Sequence, residues 1–198
     1  MTRLVLASAS SVRAALLEAA GVRFDVAVAN VDEDAVKETL LAEGVGSRGV
    51  ANALAELKAL RISSGRPETI VLGADQVLDV DGELLSKAAT VDELRRQLIR
   101  LRGRVHRLVS ACALAKDAVI VWRDVREAKL WMRDFSDAFL DDYLAREAEH
   151  VLWSVGGYRL EGVGVQLFER IEGDYFSILG LQVVAVLSAL RELGLLAR

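Results

Sequence analysis

Hydroxyl side chains and one arginine follow the first apolar segment of the chain, where burial alone would not place them. In LVLASASSVRAALLEAAG, residues 4–21, the apolar run ends at Ser8, Ser10 and Ser11, and Arg13 follows in the first turn of a predicted helix. That turn has unpaired N–H groups and partial positive charge, so it attracts anions and disfavours a cation. Arg13 becomes favourable there if a phosphate binds the guanidinium and the N–H groups together. The alternative is that a serine caps the helix and Arg13 is solvated.

A carboxylate interrupts the apolar segment TIVLGADQVL. Asp75 lies in its middle, where an ionised group is costly unless a cation or several hydrogen-bond donors meet it. The Asp81-Gly82 pair predicts a two-residue hairpin turn. Continuing that register along both strands sets Lys87 opposite Gln76 and therefore close to Asp75. The pattern is compatible with a reactive carboxylate or with a buried Asp–Lys pair that has no chemistry.

A second acidic feature, Asp32 and Glu33, comes just after a predicted strand at 24–28. Loops at strand ends often carry function, although a solvated acidic loop has the same composition. Two carboxylate sites together with basic residues such as Lys58 and Lys87 form the set needed to hold Mg²⁺ and a polyphosphate. The metal would offset phosphate charge and position an attacking water.

The segments that must position these residues alternate between strand and helix patterns, which favours an α/β fold. The length and the absence of a clear linker predict one domain over residues 1–198, with room for two lobes. A hairpin of two long strands is predicted near Lys116-Asp117. Strands are predicted at 3–7, 24–28, 69–78, 105–115 and 117–132, and helices at 12–20, 50–63, 90–102, from 136 and at 181–194.

Composition narrows the class of partner. The formal net charge is −4 and the sequence pI is about 5.3, which argues against a protein that mainly coats nucleic acid or anionic membranes. The single cysteine, Cys112, lies in an apolar run and has no partner for a disulfide within the chain, as is usual in a reducing compartment. We find no leader pattern and no apolar stretch of bilayer length, so we expect a soluble cytoplasmic protein without membrane or nucleic-acid partners.

An arginine cluster and the two histidines are further candidate functional residues. The cluster could bind nucleic acid, but it is also typical of the solvated face and exit of one helix. His106 and His150 are isolated and lack metal-ligand spacing. The arginines of the cluster are Arg95, Arg96, Arg100, Arg102, Arg104 and Arg107.

A series of short motifs runs in order from residue 4 to about residue 181. They are LASAS-x-x-R with ALLEAAG, then VDE, AELKA, GADQ with DGE and a lysine, RGRVH, Arg133 with Ser136, and GGY-x-x-EG-x-G with ERIEGDY. Together they resemble the Maf family of nucleoside triphosphate pyrophosphatases. The resemblance implies a two-lobed α/β fold similar to inosine triphosphatase, with a mixed twisted sheet flanked by helices and the nucleotide in a central cleft. It also implies a divalent metal, homodimers, and conversion of a nucleoside triphosphate to the monophosphate and pyrophosphate.

The resemblance assigns roles to individual residues of this chain. It places Glu33 and Asp75 as the carboxylates that bind Mg²⁺ or Mn²⁺ and activate water, with Asp75 as the expected base and Lys87 as a further catalytic residue. The remaining phosphate-binding positions fall on Ser8, Ser10, Arg13 and Lys58.

Two positions bear on the nucleobase. Gln76 and Glu161 resemble the family branch that acts on 7-methyl-GTP, whereas the branch that acts on dTTP and UTP typically has Thr and Gln there. A carboxylate at Glu161 can accept from the N–H edge of a guanine, which a pyrimidine lacks. The resemblance therefore favours 7-methyl-GTP, with dTTP or UTP as the alternative.

The chain departs from the family pattern at three places. Ser11-Val12 replaces a usual Pro-Arg, Ser86-Lys87-Ala88 replaces Gly-Lys-Pro, and Ser154-Val155 replaces a frequent Lys-Ala. Each missing cation can weaken phosphate binding by about 1 kcal/mol or more. A nucleotide-binding regulatory protein of weak or no activity is therefore the alternative to an enzyme.

Overall fold

Strands and helices are interleaved along residues 3–197, the part of the chain that the computed structural model describes. This arrangement confirms the mixed α/β class. The strands are β1 (Leu4–Leu6), β2 (Asp25–Val26), β3 (Ile70–Val80), β4 (Glu83–Leu85), β5 (Val105–Lys116), β6 (Val119–Met132) and β7 (Phe168–Glu172). The helices are α1 (Ser11–Ala19), α2 (Glu33–Ala42), α3 (Ser47–Ser63), α4 (Val91–Leu101), α5 (Asp137–Val151), α6 (Tyr175–Ile178) and α7 (Val183–Glu192), with a 3-10 helix at Val163–Leu167.

The strands form one mixed sheet in the order β2-β1-β3-β5-β6-β7, with β4 paired to β3. β1 is parallel to β2 and to β3, whereas β3–β4 and β6–β7 are antiparallel. β5 and β6 join at Asp117 and Ala118, whose φ angles of 49° and 60° are those of a two-residue hairpin turn. The predicted hairpin near Lys116-Asp117 is therefore confirmed.

The chain forms two compact units. The first contains residues 3–76, 110–126 and 174–197, and its core joins β1 and β3 to α1 and α7 through fully or almost fully buried aliphatic side chains. The second contains Val77–Val109 and Glu127–Gly173. In the second unit Leu94, Leu98 and Leu101 bury the apolar face of α4, as the spacing of these leucines predicts.

The turn between β3 and β4 is as predicted, but the pairing beyond it is shorter. Asp81 and Gly82 have φ angles of 54° and 87°, as a two-residue turn of the predicted type requires. The ladder ends at the third pair, Leu78 with Leu85. The prediction that Lys87 lies opposite Gln76 is therefore wrong.

The chain leaves β3 after Leu85 because it must enter α4. The Ser86 carbonyl accepts a hydrogen bond of 2.8 Å from Gln97 Nε2 of that helix, and Ala88 is buried. Lys87, between them, is exposed.

The region after β1 also differs from the sequence prediction. The strand predicted at 24–28 is limited to Asp25–Val26, and the acidic loop is the start of a helix, α2, that the pattern did not indicate. The Asp32 carboxylate caps it by accepting from the Ala35 N–H at 3.1 Å. Acidic residues in a first helical turn are favoured by the helix dipole, which gives Glu33 a structural reason to begin α2.

Close packing of α3 on β3 depends on Gly73. A Cβ at this position would lie 2.7 Å from the Ala59 backbone nitrogen and closer still to the Ala55 carbonyl oxygen. Glycine in a strand interior often marks such an approach of another backbone. Gly73 therefore lets α3 lie directly against the strand that carries Asp75.

Replacing Gly73 by alanine should lower the free energy of unfolding by about 1–3 kcal/mol, because the helix backbone cannot rotate away from the new methyl group. Urea denaturation at pH 7 measures the effect. Gly65→Ala is the matched control, since a Cβ there meets no atom within 4 Å. Equal effects of the two substitutions would show that α3 does not depend on the missing side chain.

A buried histidine lies in the second unit. His106 is 1% exposed, and its Nε2 is 2.8 Å from the Tyr158 hydroxyl. Burial lowers the pKa of His106 from 6.5 to about 4. The folded protein therefore holds this imidazole neutral at pH values where the unfolded chain would protonate it.

This difference makes stability depend on pH. Between pH 6.5 and pH 4 the unfolded chain binds a proton that the folded chain does not, so stability falls as the pH falls. From pH 7.5 to pH 5 the loss attributable to His106 should be about 2 kcal/mol. Urea unfolding of His106→Gln should show that part of the loss removed, whereas the exposed His150→Gln should behave as the wild type; an unchanged loss in His106→Gln would contradict the assignment.

Candidate active site

One ammonium group joins two carboxylates in the first unit. Lys58 Nζ lies 2.6 Å from Asp75 Oδ1 and 2.8 Å from Glu33 Oε1. The side chains of Lys58 and Asp75 are 9% and 5% exposed, and that of Glu33 is 36% exposed. The cation that the sequence requires for Asp75 is thus Lys58.

Three different elements supply this triad. Asp75 comes from β3, Lys58 from α3 and Glu33 from the first residue of α2. Gly73 and Asp75 are two residues apart in β3, so both lie on the same face of the strand. Helix α3 packs on that face. Lys58 follows Ala55 by three residues, which keeps it on the helix side that faces the strand.

The second carboxylate oxygen of Asp75, Oδ2, differs from Oδ1 in its contacts. Oδ2 is buried and has no hydrogen-bond partner. A buried acceptor without a partner is costly and indicates a bound water, an ion or a functional role. Asp75 and Glu33 share the Lys58 ammonium, and carboxylates brought together in this way are the kind of ligand that a divalent cation takes.

The two carboxylates could hold a divalent metal only together with ligands from outside the protein. The described residues contain no group of three or more His, Cys, Asp or Glu side chains placed to hold a metal ion. Mg²⁺ commonly binds through one or two carboxylates and completes its shell with phosphate oxygens and water. Glu33 and Asp75 therefore suffice as protein ligands only when a phosphate supplies the rest.

Arg13 is bonded to backbone carbonyls rather than solvated. Its Nε donates to the Gly180 carbonyl at 2.8 Å, and its Nη1 donates to the Ala74 carbonyl at 2.9 Å and to Ser8 Oγ at 3.1 Å. Ser10 caps α1, since its Oγ accepts from the Arg13 N–H at 3.4 Å. The prediction that a serine caps the helix is confirmed for Ser10. The Arg13 guanidinium is held by Ala74, the residue before Asp75.

Gln76 lies in the same unit, and Lys87 and Glu161 do not. The Gln76 side chain donates to Ser110 Oγ and to the carbonyls of Ser177 and Ile178. Lys87 and Glu161 belong to the second unit, where Lys87 follows β4 and Glu161 lies in the turn before the 3-10 helix. Both of these side chains are exposed.

Sequence reasoning missed the residues that hold Arg13 and Gln76. Gly180, Ser110 and Ser177 supply their partners, two of them through backbone carbonyls that no side-chain pattern reveals. One local signal was present, because Asp174 three residues before Ser177 is a helix-capping spacing. The Asp174 carboxylate does accept from the Ser177 N–H, at 2.8 Å.

Two other reactive residue types have structural roles. Burial raises the pKa of Cys112 to about 12, so its thiol stays protonated at neutral pH and is a poor nucleophile.

Most of the arginine cluster is paired with carboxylates, which favours the solvated-face interpretation over a nucleic-acid site. The pairs are Arg95–Asp141, Arg100–Glu83, Arg102–Asp137, Arg104–Asp81 and Arg107–Asp79.

Comparison with known proteins agrees with the motifs. The family model described as Maf-like protein matches residues 3–193. A nucleoside triphosphate pyrophosphatase of Caulobacter vibrioides is 53% identical over 196 residues, which is 99% of this chain and 98% of that protein. A nucleoside triphosphate pyrophosphatase of Sphingopyxis alaskensis is 47% identical, covering 97% of this chain and 98% of that protein. The chain therefore belongs to the Maf-like family.

Two further matches add detail. A 7-methyl-GTP pyrophosphatase of Rhizobium meliloti is 46% identical over 191 residues, which is 96% of each chain. A solved HAM1 protein from Coxiella burnetii matches with a TM-score of 0.45 and 17% identity, over 68% of this chain and 75% of that one. Among residues 3–197, none of the helices has both the length and the apolar character that spanning a bilayer demands.

Removal of the Lys58 ammonium should destabilise the fold more than removal of a half-exposed lysine. Lys58→Met leaves Asp75 buried without its cation, which should cost about 3–5 kcal/mol. Lys116→Met is the matched control, because Lys116 pairs with the exposed Glu68 at 3.5 Å and such a pair contributes about 0–1 kcal/mol. Urea denaturation at pH 7 compares them, and a Lys58→Met effect as small as that of Lys116→Met would contradict the central place of Lys58.

Proposed function

We propose that this protein hydrolyses a nucleoside triphosphate to the monophosphate and pyrophosphate, with Glu33, Lys58 and Asp75 at the reacting centre. The observation that carries the proposal is the buried, unpartnered Oδ2 of Asp75 beside an ammonium that already neutralises part of the local charge. The names of the Caulobacter and Sphingopyxis relatives support the same reaction class.

The chain's own groups account for the movement of the proton and the leaving group. A water oxygen attacks the α-phosphorus, the bond from that phosphorus to the α–β bridging oxygen breaks, and its electron pair leaves with pyrophosphate. Asp75 Oδ2 accepts the proton of the attacking water, as a positioned carboxylate does in general base catalysis. Lys58 keeps Asp75 oriented by donating to Oδ1 at 2.6 Å, which leaves Oδ2 without a hydrogen-bond partner.

Cations would balance the charge of the phosphates. Arg13 and Lys58 supply positive charge in the first unit, and we assign Lys87 to the leaving pyrophosphate as the family resemblance implies. Glu33 and Asp75 would hold a divalent ion, which when bound neutralises phosphate charge and orients water. Ser8 and Ser10 lie at the start of α1, where hydroxyl and N–H donors suit a phosphate.

We propose that the preferred substrate is 7-methyl-GTP, whose base is 7-methylguanine. The support is the 46% identical Rhizobium relative of that name and the carboxylate at Glu161, which can accept from a guanine N–H edge. Glu161→Gln is the variant that tests this choice, since it should lower kcat/KM for the methylated guanine nucleotide more than for dTTP or UTP.

A nucleotide panel with product separation tests the reaction. With Mg²⁺ or Mn²⁺ the products should be a monophosphate and pyrophosphate, and EDTA should abolish turnover until the metal is restored. Asp75→Asn removes the proton acceptor and should lower kcat at least about 100-fold without unfolding the protein. Asp79→Asn is the matched control: Asp79 is in the same strand and, like Asp75, is 4% exposed, but it bonds to Arg107 and to the Gly82 N–H.

Three outcomes would contradict the proposal. Release of orthophosphate with a diphosphate nucleotide would place the cleavage at the wrong bond. Equal losses of kcat in the two aspartate variants would remove the special role of Asp75. Tight nucleotide binding without any product would select the regulatory alternative that the absent cations at Val12 and Ser154 raise.

A further inference from the structure

We propose that Gln76 is a positioning residue that sets the Arg13 guanidinium through residues 174–181, and that it does not contact the nucleobase. Residues 174–181 are called the α6 segment below, since they contain α6 and the turn that follows it. The inference rests on the proposed function for its kinetic consequences only. Its structural part concerns hydrogen bonds within the first unit and can be tested without a nucleotide.

Gln76 and Asp75 leave β3 in opposite directions. Successive side chains of a strand point to opposite faces of the sheet. Asp75 meets Lys58 of α3, and Gln76 meets Ser110 of β5 and the α6 segment. The Gln76 amide is therefore on the other side of the strand from the Glu33–Lys58–Asp75 triad.

The donor groups of Gln76 are already used by the protein. Its Nε2 lies 2.8 Å from Ser110 Oγ, 3.2 Å from the Ser177 carbonyl and 2.9 Å from the Ile178 carbonyl. Ser110 gives its own hydroxyl proton to the Ser177 carbonyl at 2.7 Å, so Ser110 can only accept from Gln76. The network thus fixes which end of the amide faces the α6 segment.

The α6 segment needs this support because its helix is short and its central residues are buried. α6 has four residues, and Ser177 and Ile178 are 3% and 5% exposed. Without Gln76, the Ile178 carbonyl would lose the side-chain donor that reaches it, and a buried carbonyl without a donor costs free energy. The Asp174 carboxylate holds the other end of the segment by accepting from the Ser177 hydroxyl at 2.6 Å.

The α6 segment in turn fixes Arg13. Gly180 has a φ of 93°, which favours glycine, and its carbonyl accepts from Arg13 Nε. A Cβ on Gly180 would lie 3.3 Å from that same Nε, so the guanidinium packs directly against this turn. The Ala74 carbonyl holds the same guanidinium beside Asp75. Gln76 therefore acts on phosphate binding indirectly: it holds the α6 segment, and the Gly180 carbonyl of that segment holds the Arg13 guanidinium.

Hydrogen exchange of the nucleotide-free protein tests the structural part. Gln76→Ala should raise the exchange rate of amides in the α6 segment about 10-fold, the effect of losing roughly one to two net hydrogen bonds. Gln166→Ala, which truncates an exposed glutamine of the 3-10 helix, is the matched control and should leave the segment unchanged. Gln76→Met, which keeps the side-chain length without the N–H groups, gives a second variant if the alanine variant does not fold. Unchanged exchange in the Gln76 variants would overturn the proposal.

Kinetics of the same variants test the link to Arg13. Gln76→Ala should lower kcat/KM by the same factor for guanine and pyrimidine nucleotides, because the loss passes through phosphate binding. It should add nothing to the loss already caused by Arg13→Lys, since coupled residues are not additive. A loss confined to one base, or full additivity with Arg13→Lys, would overturn the proposal. If the wild type hydrolyses no nucleotide, the proposed function fails while the exchange experiment still decides the role of Gln76.

Discussion

A carboxylate inside a protein needs a compensating charge, and for Asp75 the compensating group is the Lys58 ammonium. The rest of the site follows from this ion pair. Gly73 leaves room for α3 to approach β3, and α2 brings Glu33 to the same ammonium. Because Lys58 bonds to only one oxygen of Asp75, the other stays buried and unpartnered. The arrangement keeps an acceptor without a hydrogen-bond partner in a low-dielectric environment, which costs free energy.

The two faces of β3 carry different groups: Asp75 is on one face and Gln76 is on the other. On one face the Lys58 ammonium joins the carboxylates of Glu33 and Asp75, and the proposed function makes Asp75 the proton acceptor. On the other face Gln76 and Ser110 hold backbone carbonyls of the α6 segment, which orients Arg13. Preorganised donors contribute to catalysis without reorganisation during the reaction. Under the proposed function, the absence of the family's usual cations at Val12 and Ser154 makes phosphate binding depend more strongly on Arg13 and Lys58.

Local signals in the sequence predicted the local structure well. The turn at Asp81-Gly82 and the helix starts at Thr90 and Ser136 depend on neighbours within three residues, and all three are present. The partner of Asp75 depends on how a helix docks against a strand 17 residues away, and extrapolating a hairpin register could not supply it. β4 is only three residues long because the next segment must enter α4, a demand of packing that the pairing rule ignores. α2 was missed because none of its residues is buried, so it has no clear apolar face.

Binding of Mn²⁺ together with a nucleotide analogue whose α–β bridge is a methylene group tests most directly whether Glu33 and Asp75 form a metal site. Electron paramagnetic resonance reports the bound ion without turnover, so the measurement is independent of activity. Wild type and Asp79→Asn should bind the ion alike, whereas Asp75→Asn and Glu33→Gln should bind it at least about 10-fold more weakly, as expected when a carboxylate ligand is lost. Equal Mn²⁺ affinity in Asp75→Asn and the wild type would show that the buried carboxylate is held by Lys58 for stability alone.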